Sequence, residues 1–387
     1  PNQICLLYLR SWDMKSNYNQ LGQYIEMVSR TNSDLKYGIE DVRGCSNTKQ
    51  MMQTRANLIG RTYEKFIVLR PQEFVFNRRT TRNGEKIGMA YNNTDREYIF
   101  TNDYVAFRVK QEYLDKLLPD YLYLFFCRDE FDRYARYKST GSATEFFNWE
   151  DMCAVPFEIP PMDFQQLVVN AYKVLNKRIE TKQKINDNLA TQALTLFSDF
   201  VSHLSKKLEQ RKLGDVIASA NTGGDAIQKV PIVDYDTGIK CARVGDITNA
   251  REYASWAFCN ASKSVYDNYK LQAGDILVTR TATLGITQYI AKDISAVYNN
   301  GLIRLKVNDT NALPLYIYWA MKTSDFLNYI NQMNSATSVR PNMKIDYLLN
   351  YQLSIPSIEE QTQFTNTVEP LMNAISLNND EIQKLYF

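Results

Sequence analysis

Two long stretches of the chain carry apolar residues at alternating steps of four and three, the spacing of one face of a long α-helix. The apolar positions of the first stretch are Val168, Tyr172, Leu175, Ile179, Leu189, Ala193, Leu196 and Phe200. Those of the second are Phe364, Val368, Leu371, Ile375, Ile382 and Leu385. Polar Lys182, Asn186 and Asn378 occupy the remaining positions of the two series. This heptad spacing predicts two helices that each pack along a narrow seam.

The second helical stretch repeats the first at a distance of 196 residues, and the segments in front of the two stretches repeat as well. Five short segments recur in the same order at offsets of 192 to 202 residues: Leu21–Ile25 with Leu213–Ile217, Leu69–Arg79 with Leu271–Thr281, Leu118–Tyr123 with Leu313–Tyr318, Ser142–Thr144 with Ser335–Thr337, and Phe157–Pro160 with Leu353–Pro356. A nearly constant offset over so many segments, in the same order, indicates two diverged copies of one unit.

The segment in front of each predicted helix mixes strand and helix patterns. Ile276–Val278 follows a turn and predicts a strand, and Leu302–Val307 alternates apolar and basic residues. Tyr121–Tyr137 and Tyr316–Ile330 predict helices. The predicted fold class is therefore α+β, with two similar mixed α/β domains and two long helices. The predicted boundaries are 1–160 for the first domain, 161–211 for the first long helix, 212–356 for the second domain and 357–387 for the second long helix.

Opposite charges favour pairing of the two long helices with each other. Asn176–Lys212 has eight basic and four acidic residues, whereas Ser357–Phe387 has five acidic residues and one lysine. Such complementarity is typical of paired helices. Lys182 and Asn378 are then predicted to fix the register of the seam. The alternative is that each helix packs on its own domain and the charges are solvated.

Composition bounds the chemistry of the chain. With 387 residues, 44% of them hydrophobic and 23% charged, the chain has the composition of a globular protein. Its one histidine, His203, lies in a helical pattern without a nucleophile nearby, so we expect neither a catalytic nor a metal site. The six cysteines form no Cys-x-x-Cys pair, which favours reduced thiols and a cytoplasmic location. Because the net charge is only +2, any nucleic-acid binding has to come from local patches.

An ordered set of motifs resembles the specificity subunit of type I restriction–modification systems over almost the whole chain. These motifs are Leu213–Ile217, Gly274–Arg280, Leu284–Gly285, Ser335–Thr337, Ile355–Pro356 and Glu359–Gln361, together with the helix Ile179–Phe200. The first copy departs from the pattern at two places. Gln72–Glu73 replaces Gly-Asp, and Phe164–Gln166 stands where Glu359–Gln361 sits.

The resemblance implies two target-recognition domains that each read a few base pairs of a split target on double-stranded DNA. It implies that the two helices form an antiparallel coiled coil with pseudo-twofold symmetry, which sets the spacer between the half-targets. The expected partners are two methyltransferase (modification) subunits and restriction/translocase subunits. This chain is expected to be non-catalytic and to bind no cofactor, with S-adenosylmethionine bound by the methyltransferase subunits.

The first copy has one dense basic stretch, directly after the apolar run Phe74–Phe76. A loop at this place carries Arg78, Arg79, Arg82 and Lys86. Arg and Lys side chains contact phosphates and guanine, so we predict DNA contacts here. An ordinary solvated turn is the alternative.

The second copy has fewer cations and more Thr and Asn at the matching places. The candidates for DNA contact are Arg243, Arg280, Thr281, Thr283, Arg340, Asn342 and Lys344. Arg243 is the weakest of them. A structural alternative for Arg280 is an ion pair within its own domain.

Two other functions fit parts of the pattern. One is a scaffold that binds only proteins, which would show no salt-dependent binding to duplex DNA. The other is the specificity subunit of a related two-part restriction enzyme. A nuclease is disfavoured, because the acidic residues near Asp120 and Asp129 lack a nearby acid-x-Lys pattern.

Overall fold

The computed structural model describes residues 19–54, 58, 60–80, 86–141, 144–204, 210–335 and 342–386. The chain forms two compact units, Pro1–Asn176 and Lys177–Phe387. The boundary between the units falls inside one long helix, Met162–His203.

The first unit is built around a four-stranded antiparallel sheet. The strands of the unit are β1 (Ile25–Val28), β2 (Arg43–Cys45), β3 (Met51–Gln53), β4 (Ile67–Leu69), β5 (Phe74–Asn77), β6 (Met89–Tyr91), β7 (Tyr98–Phe100) and β8 (Tyr104–Val109). The main sheet has the order β1-β8-β5-β6, while β2 pairs with β3 and β4 pairs with β7. The helices are α1 (Pro119–Phe126), α2 (Asp129–Lys138), α3 (Trp149–Cys153) and α4 (Met162–His203).

Aromatic residues fill the space between the main sheet and the helices of this unit. Phe74 and Phe107 lie on neighbouring strands, with ring centroids 5.0 Å apart, and both are fully buried. Phe126 of α1 meets Phe74 edge-on at 5.7 Å. Offset and edge-on packing of this kind is the arrangement that aromatic rings favour.

The second unit has the same kind of main sheet and a larger second sheet. Its strands are β9 (Gln210–Lys212), β10 (Ile217–Thr222), β11 (Ile232–Val233), β12 (Lys240–Ala242), β13 (Phe258–Cys259), β14 (Ile276–Thr279), β15 (Thr287–Tyr289), β16 (Ala296–Tyr298), β17 (Leu302–Val307) and β18 (Gln352–Ser354). Its helices are α5 (Val244–Thr248), α6 (Lys263–Tyr269), α7 (Pro314–Ala320), α8 (Ser324–Ser335), α9 (Ile345–Leu349) and α10 (Ile358–Tyr386), in addition to the second part of α4.

The internal repeat predicted from the sequence is present in the main sheets. The second main sheet has the order β10-β17-β14-β15, which matches β1-β8-β5-β6 strand for strand. The smaller sheets differ between the copies. The second unit has a four-stranded sheet β11-β13-β12-β16 with a parallel β12–β16 pair, whereas the matching region of the first unit holds the two separate strand pairs. The copies therefore share a frame and diverge in the segments added to it.

A reciprocal cap fixes the start of α10. The backbone N–H of Ser357 donates to the Glu360 carboxylate at 2.9 Å, and the Glu360 N–H donates to the Ser357 hydroxyl at 3.3 Å. This Ser-x-x-Glu capping box satisfies N–H groups that the first helical turn leaves without a partner.

The turn before β5 keeps its geometry although its sequence departs from Gly-Asp. Gln72 has φ +65°, and its counterpart Gly274 has φ +86°. The Glu73 carboxylate accepts from the Arg70 N–H at 2.8 Å, and the Asp275 carboxylate accepts from the Gln272 N–H at 2.9 Å. The longer acid therefore replaces Asp275 in function, while Gln72 adopts a backbone conformation that favours glycine.

We predict that Gln72→Gly raises the free energy of unfolding by about 0.5–1 kcal/mol, because glycine relieves the left-handed strain at this exposed position. Gly274→Ala is the reciprocal control and should lower it by about 1 kcal/mol, since a Cβ there meets only ordinary contacts with Pro314 and the cost is that of the backbone. Chemical denaturation monitored by circular dichroism measures both changes. A loss of stability in Gln72→Gly would contradict the assignment.

Candidate nucleic-acid interface and helix seam

Within the second unit, α4 and α10 lie side by side and run in opposite directions. Phe197, late in α4, packs on Phe364, early in α10, with ring centroids 5.2 Å apart. Lys182, earlier in α4, donates from its Nζ to the side-chain oxygen of Asn378, later in α10, at 2.9 Å. Since residue numbers rise along one helix where they fall along the other, the pair is antiparallel.

The spacing of these two contacts agrees on both helices. Lys182 precedes Phe197 by 15 residues in α4, and Asn378 follows Phe364 by 14 residues in α10. Both distances correspond to about four helical turns. The two helices therefore stay in step between the aromatic contact at one end and the polar contact at the other.

The polar end of the seam is a connected set of ion pairs and hydrogen bonds. Glu381 of α10 lies 2.9 Å from Lys182 and 3.1 Å from Arg178 on α4. Hydrogen bonds from these two cations, with that of Lys182 the larger cause, hold the pKa of Glu381 below its ordinary value. The charge complementarity between the helices thus acts largely at one carboxylate.

Asparagine side chains continue this set across the seam and into the second domain. The Asn378 amide donates to the Asn186 oxygen at 2.9 Å, and the Asn186 amide donates to the Asn379 oxygen at 2.6 Å. Asn379 in turn donates to the Glu252 carboxylate at 2.6 Å. We name the cross-helix contacts of Arg178, Lys182, Asn186, Asn378, Asn379 and Glu381 the polar seam.

The seam residues predicted from the heptads are buried to different degrees. Ile179, Phe364 and Val368 are buried, and the half-buried residues are Leu175, Leu189, Leu371 and Ile375. Leu175 belongs to the first unit, and Ile375 lines a cavity of about 220 Å³ between α10 and the second domain. The second long helix therefore packs on α4 and on its own domain, so the two arrangements considered from the sequence occur together.

The seam position predicted for Leu196 is wrong. Leu196 is 37% exposed, and the neighbouring Phe197 is buried in its place. Ile179 and Phe197 are 18 residues apart, which is five turns at 3.6 residues per turn. A strict heptad assumes 3.5 residues per turn and drifts by about 20° per heptad from a straight helix, so it misses by one residue at the far end.

In the first domain, the start of the basic loop, Arg78–Thr80, lies beside the segment that precedes α3. The Phe147 N–H donates to the Arg78 carbonyl at 2.9 Å, and the backbone of Arg79 forms an antiparallel β-bridge with Phe146. Arg78 and Arg79 are exposed, and the Arg79 guanidinium lies 3.4 Å from Asp103. At the other end of the loop, exposed Lys86 lies 3.4 Å from Asp129. Arg82 lies outside the described residues.

The second domain repeats this arrangement with other side chains. The Met343 N–H donates to the Arg280 carbonyl at 2.8 Å, and the backbone of Thr281 forms an antiparallel β-bridge with Asn342. The Arg280 guanidinium donates to the carbonyls of Met343 at 3.1 Å and Asn300 at 3.2 Å. These carbonyls are the partners of Arg280, rather than the acid considered from the sequence.

The remaining candidates of the second domain have separate positions. Thr283, Asn342 and Lys344 are exposed, and Arg340 lies outside the described residues. Arg243 forms an ion pair with the buried carboxylate of Asp246 at 3.0 Å, and this contact raises the pKa of Arg243. Arg243 therefore has a structural partner, and its role in DNA contact remains a prediction, as for the other candidates.

Two loops that are separate in sequence thus meet in each domain. The loop after β5 or β14 adjoins the segment that leads into α3 or α9, and the same backbone hydrogen bond joins them in both copies. Local patterns predicted the loop after β5, the loop after β14 and the segment before α9 as candidates, but they did not predict these contacts. The candidate residues of the two segments are therefore brought together at each junction.

Comparison with known proteins gives the family. The family model described as type I restriction modification DNA specificity domain matches residues 24–191 and again residues 205–386. The chain belongs to this family. It is a DNA-specificity subunit with two specificity domains, as the motifs predicted, and its α+β fold class is confirmed. No curated protein matches the chain.

Three solved structures are similar to this DNA-specificity subunit at low identity. The type I S subunit from M. genitalium is 14% identical, with 97% of this chain and 95% of that chain covered and a TM-score of 0.49. The HsdS subunit from Thermoanaerobacter tengcongensis is 15% identical, with 95% and 94% covered and a TM-score of 0.34. The third chain comes from a structure that concerns complex assembly and conformational transition of the type I R-M system. It is 15% identical, with 95% of each chain covered and a TM-score of 0.39.

Two other features are absent from the part of the subunit that the structure describes. Within those residues, no group of three His, Cys, Asp or Glu side chains is placed to hold a metal ion. No described helix has the length and apolarity needed to cross a membrane. The His203 side chain is 77% exposed and contacts Asp199 one turn earlier in α4.

Buried glutamines attach each long helix to its specificity domain, and the sequence interpretation missed them. Gln165 accepts from the Leu118 N–H at 2.9 Å and donates to the carbonyls of Lys116 and Pro160. Gln361 accepts from the Leu313 N–H at 2.7 Å and donates to the Pro356 carbonyl at 2.9 Å.

The two glutamines are equivalent positions of the repeat. Both are fully buried, and they are 196 residues apart, the offset of the heptad positions. Asp163–Gln165 therefore matches Glu359–Gln361, and the alignment of Phe164–Gln166 with that motif is wrong by one residue. The helix offset was the signal that identifies the correct pair.

We predict that Gln361→Ala lowers the free energy of unfolding by about 1–3 kcal/mol, because the Leu313 N–H and the Pro356 carbonyl lose their buried partner. Gln363→Ala on the exposed side of the same helix is the matched control and should change it by less than about 0.5 kcal/mol. Urea denaturation compares the two variants. Equal effects would show that the buried amide has no special role.

Proposed function

We propose that this subunit reads a two-part target on double-stranded DNA, one half with each specificity domain, while α4 and α10 set the spacer between the halves. The observation that carries this proposal is the antiparallel helix pair, which is locked in register by the polar seam. Apolar packing alone tolerates sliding, whereas a directional set of hydrogen bonds and ion pairs favours one alignment. A fixed alignment is what a measuring element needs.

The length of α4 suits this role. Its 42 residues correspond to a length of about 63 Å. Equivalent groove positions on B-DNA recur about every 34 Å, so a strut of this length fits half-targets separated by whole turns of the duplex. The spacer is therefore expected to be fixed rather than variable.

Differences between the two copies support an asymmetric target. The main sheets agree, but the smaller sheets and the candidate contact residues differ. The first domain offers Arg78 and Arg79 at its loop junction, and the second offers Thr281 and Asn342. Arg is suited to phosphates and guanine, while Asn is suited to adenine, so the two domains are expected to read different bases.

The chemistry is proposed to belong to partner subunits. We propose that two methyltransferase subunits, which bind S-adenosylmethionine, dock on this chain, that restriction/translocase subunits join them, and that the chain itself is a non-catalytic cytoplasmic protein. An apolar stripe on α4 supports docking: Leu167, Val174 and Ile185 share one helix face and are 65%, 66% and 42% exposed. Exposed apolar groups in a row are typical of protein interfaces.

We expect DNA from cells that express this subunit with its methyltransferase partners to carry methylated adenines in a gapped, two-part motif. Sequencing that detects modified bases maps the motif directly, with cells that lack the subunit as the control. A contiguous motif, or no motif, would refute the proposal. The protein-scaffold alternative predicts no salt-dependent binding of the complex to duplex DNA, which a filter-binding titration tests.

A second prediction concerns the polar seam. Replacing Asn186 and Asn378 together by Leu should leave the free energy of unfolding within about 1 kcal/mol of the original. Both partners of the Asn378–Asn186 hydrogen bond become apolar, while Lys182 keeps its ion pair with Glu381 and Asn379 keeps its hydrogen bond to Glu252. The same change should weaken the preference for one spacer length, because the seam loses directional contacts. Binding to duplexes whose spacers differ by one base pair measures this preference.

The matched control replaces Asn188 and Asn373 by Leu; both asparagines are exposed on the same two helices. It should retain the original spacer preference. If the seam variant also retains it while folding normally, the polar seam does not set the spacer.

A further inference from the structure

A buried carboxylate in the second specificity domain holds two arginine side chains together. The Asp246 side chain, in α5, has no exposed surface. Its Oδ2 atom accepts from Nε of Arg243 at 3.0 Å, and its Oδ1 atom accepts from Nη2 of Arg243 and Nη1 of Arg251, each at 3.3 Å. The two guanidinium groups share one oxygen atom, so their contacting nitrogen atoms lie at most about twice that distance apart. We name Arg243 and Arg251 the arginine pair.

The backbone of both arginines is fixed as well. Ala250 has φ +48°, a left-handed conformation that turns the chain back after α5. The Arg251 N–H then donates to the Asp246 carbonyl at 2.8 Å, and the Arg251 carbonyl accepts from the Trp256 indole N–H at 2.9 Å. The Arg243 N–H donates to the Asp246 carboxylate at 3.1 Å. The positions of both arginines are therefore set before any ligand binds.

Most of the hydrogen-bonding capacity of the pair points to a further acceptor. A guanidinium group has five N–H donors and stays charged. Asp246 accepts two of these donors from Arg243 and one from Arg251. The side chains of Arg243 and Arg251 are 35% and 51% exposed, so two positive charges reach the solvent above one buried negative charge. An anion with several acceptor oxygens suits such a pair.

A helix cap alone does not require this arrangement. The Asp151 carboxylate of α3 accepts from the Asn148 N–H at 3.0 Å, and one bond of this kind satisfies an N–H group of the first turn. Asp246 makes the same bond and contacts two arginines in addition. Burial of a carboxylate is costly, and a buried ion pair is weak evidence for a gain in stability. What the contacts of Asp246 do provide is a fixed spacing of two cations.

The arginine pair neighbours the candidate contact residues of this domain. Arg243 directly follows β12 and precedes Val244. Val244 and Thr281 both border Gly301, since a Cβ placed on this glycine would lie 2.5 Å from Val244 and 3.0 Å from the Thr281 hydroxyl. One glycine thus separates the segment that carries the pair from the junction of Thr281 with Asn342.

We propose that the arginine pair binds a backbone phosphate of DNA beside the half-target of the second domain, and that Asp246 is the positioning residue that keeps both guanidinium groups at the required spacing. The proposal rests on the function proposed above. Arginine binds phosphate through paired N–H donors. Phosphate contacts fix the register of a protein on the duplex and carry no sequence information directly, so the pair positions the duplex while other side chains read bases.

The test uses the full subunit with its methyltransferase partners and two duplexes, one with the two-part motif mapped by methylation and one with a scrambled sequence. Binding is measured over a range of salt concentrations. We expect Arg251→Ala to reduce the slope of log affinity against log salt concentration by about one, because each phosphate contact releases about one counterion. At about 0.15 M salt this change weakens binding about fivefold. Both duplexes should lose affinity equally, which leaves the discrimination between them unchanged.

A second variant separates positioning from charge. Asp246→Asn keeps a side-chain oxygen for the Arg243 N–H and removes the negative charge between the two arginines. If charge alone mattered, this variant would bind DNA more tightly, since the net charge of the subunit rises by one. Loss of positioning predicts the opposite result, which is weaker binding to both duplexes and a smaller slope.

Two controls accompany these variants. Arg251→Lys retains the charge and should retain most of the slope. Lys263→Ala removes an exposed charge from the opposite end of the smaller sheet, because Lys263 follows β13, whose Cys259 N–H donates to Ile239 just before β12 begins. This control should leave the slope unchanged. Thermal unfolding of each variant checks that the domain is folded.

Several outcomes would overturn the inference. They are an unchanged slope in folded Arg251→Ala, an equal loss in Lys263→Ala, a loss confined to the duplex with the motif, and tighter binding by Asp246→Asn. Unfolding of Asp246→Asn would also overturn it, since Asp246 would then have a structural role. Failure of the proposed function would look different, because the unmodified complex would then bind the two duplexes equally or bind neither.

Discussion

The packing of α4 against α10 is the contact on which the second half of the molecule depends. Ala193 and Phe197 of α4, with Phe364 and Val368 of α10, belong to the same buried cluster as Tyr316 of α7. Burying a side chain such as Phe stabilises the folded state by about 1.5–3 kcal/mol relative to leaving it exposed. The two helices therefore contribute part of the hydrophobic core of the second domain. The helix pair and the second domain therefore form one cooperative unit, in which α10 does not leave α4 without opening the core.

Along the same seam, two kinds of interaction act at different places. The aromatic end supplies stability without direction, since apolar burial depends on area and not on alignment. The polar end supplies direction, because the contacts of Lys182, Asn186 and Glu381 exist in one register only. Asn379 then connects this register to Glu252, so the alignment of the helices is linked to the position of the second domain. A domain attached in this way is held at a defined place along the helix pair.

Much of this architecture follows from sequence patterns, and the parts that do not share a physical reason. Period and offset predicted the long helices, the repeat and the place of Lys182 and Asn378 in the seam, because each of these leaves a regular signature along the chain. Leu196 was misplaced because an ideal heptad differs from the pitch of a straight helix. Gln165 and Gln361 were missed because a buried amide that binds backbone groups of a distant segment leaves no periodic signal. The meeting of the Arg78 loop with Phe146 has the same origin, since long-range pairing is decided by tertiary packing.

Some features recur in both copies of the repeat, and others differ between them. The sheet order, the glutamine anchors and the turns at Gln72 and Gly274 recur in both copies, and all of them attach a domain to its long helix or shape the main sheet. The smaller sheets and the loop between β5 and β6 or β14 and β15 differ in length and in charge. A change in these loops leaves the helix attachment untouched, because no glutamine contact passes through them. The loops of one domain can therefore change in sequence and length while the attachment of that domain to its long helix stays the same.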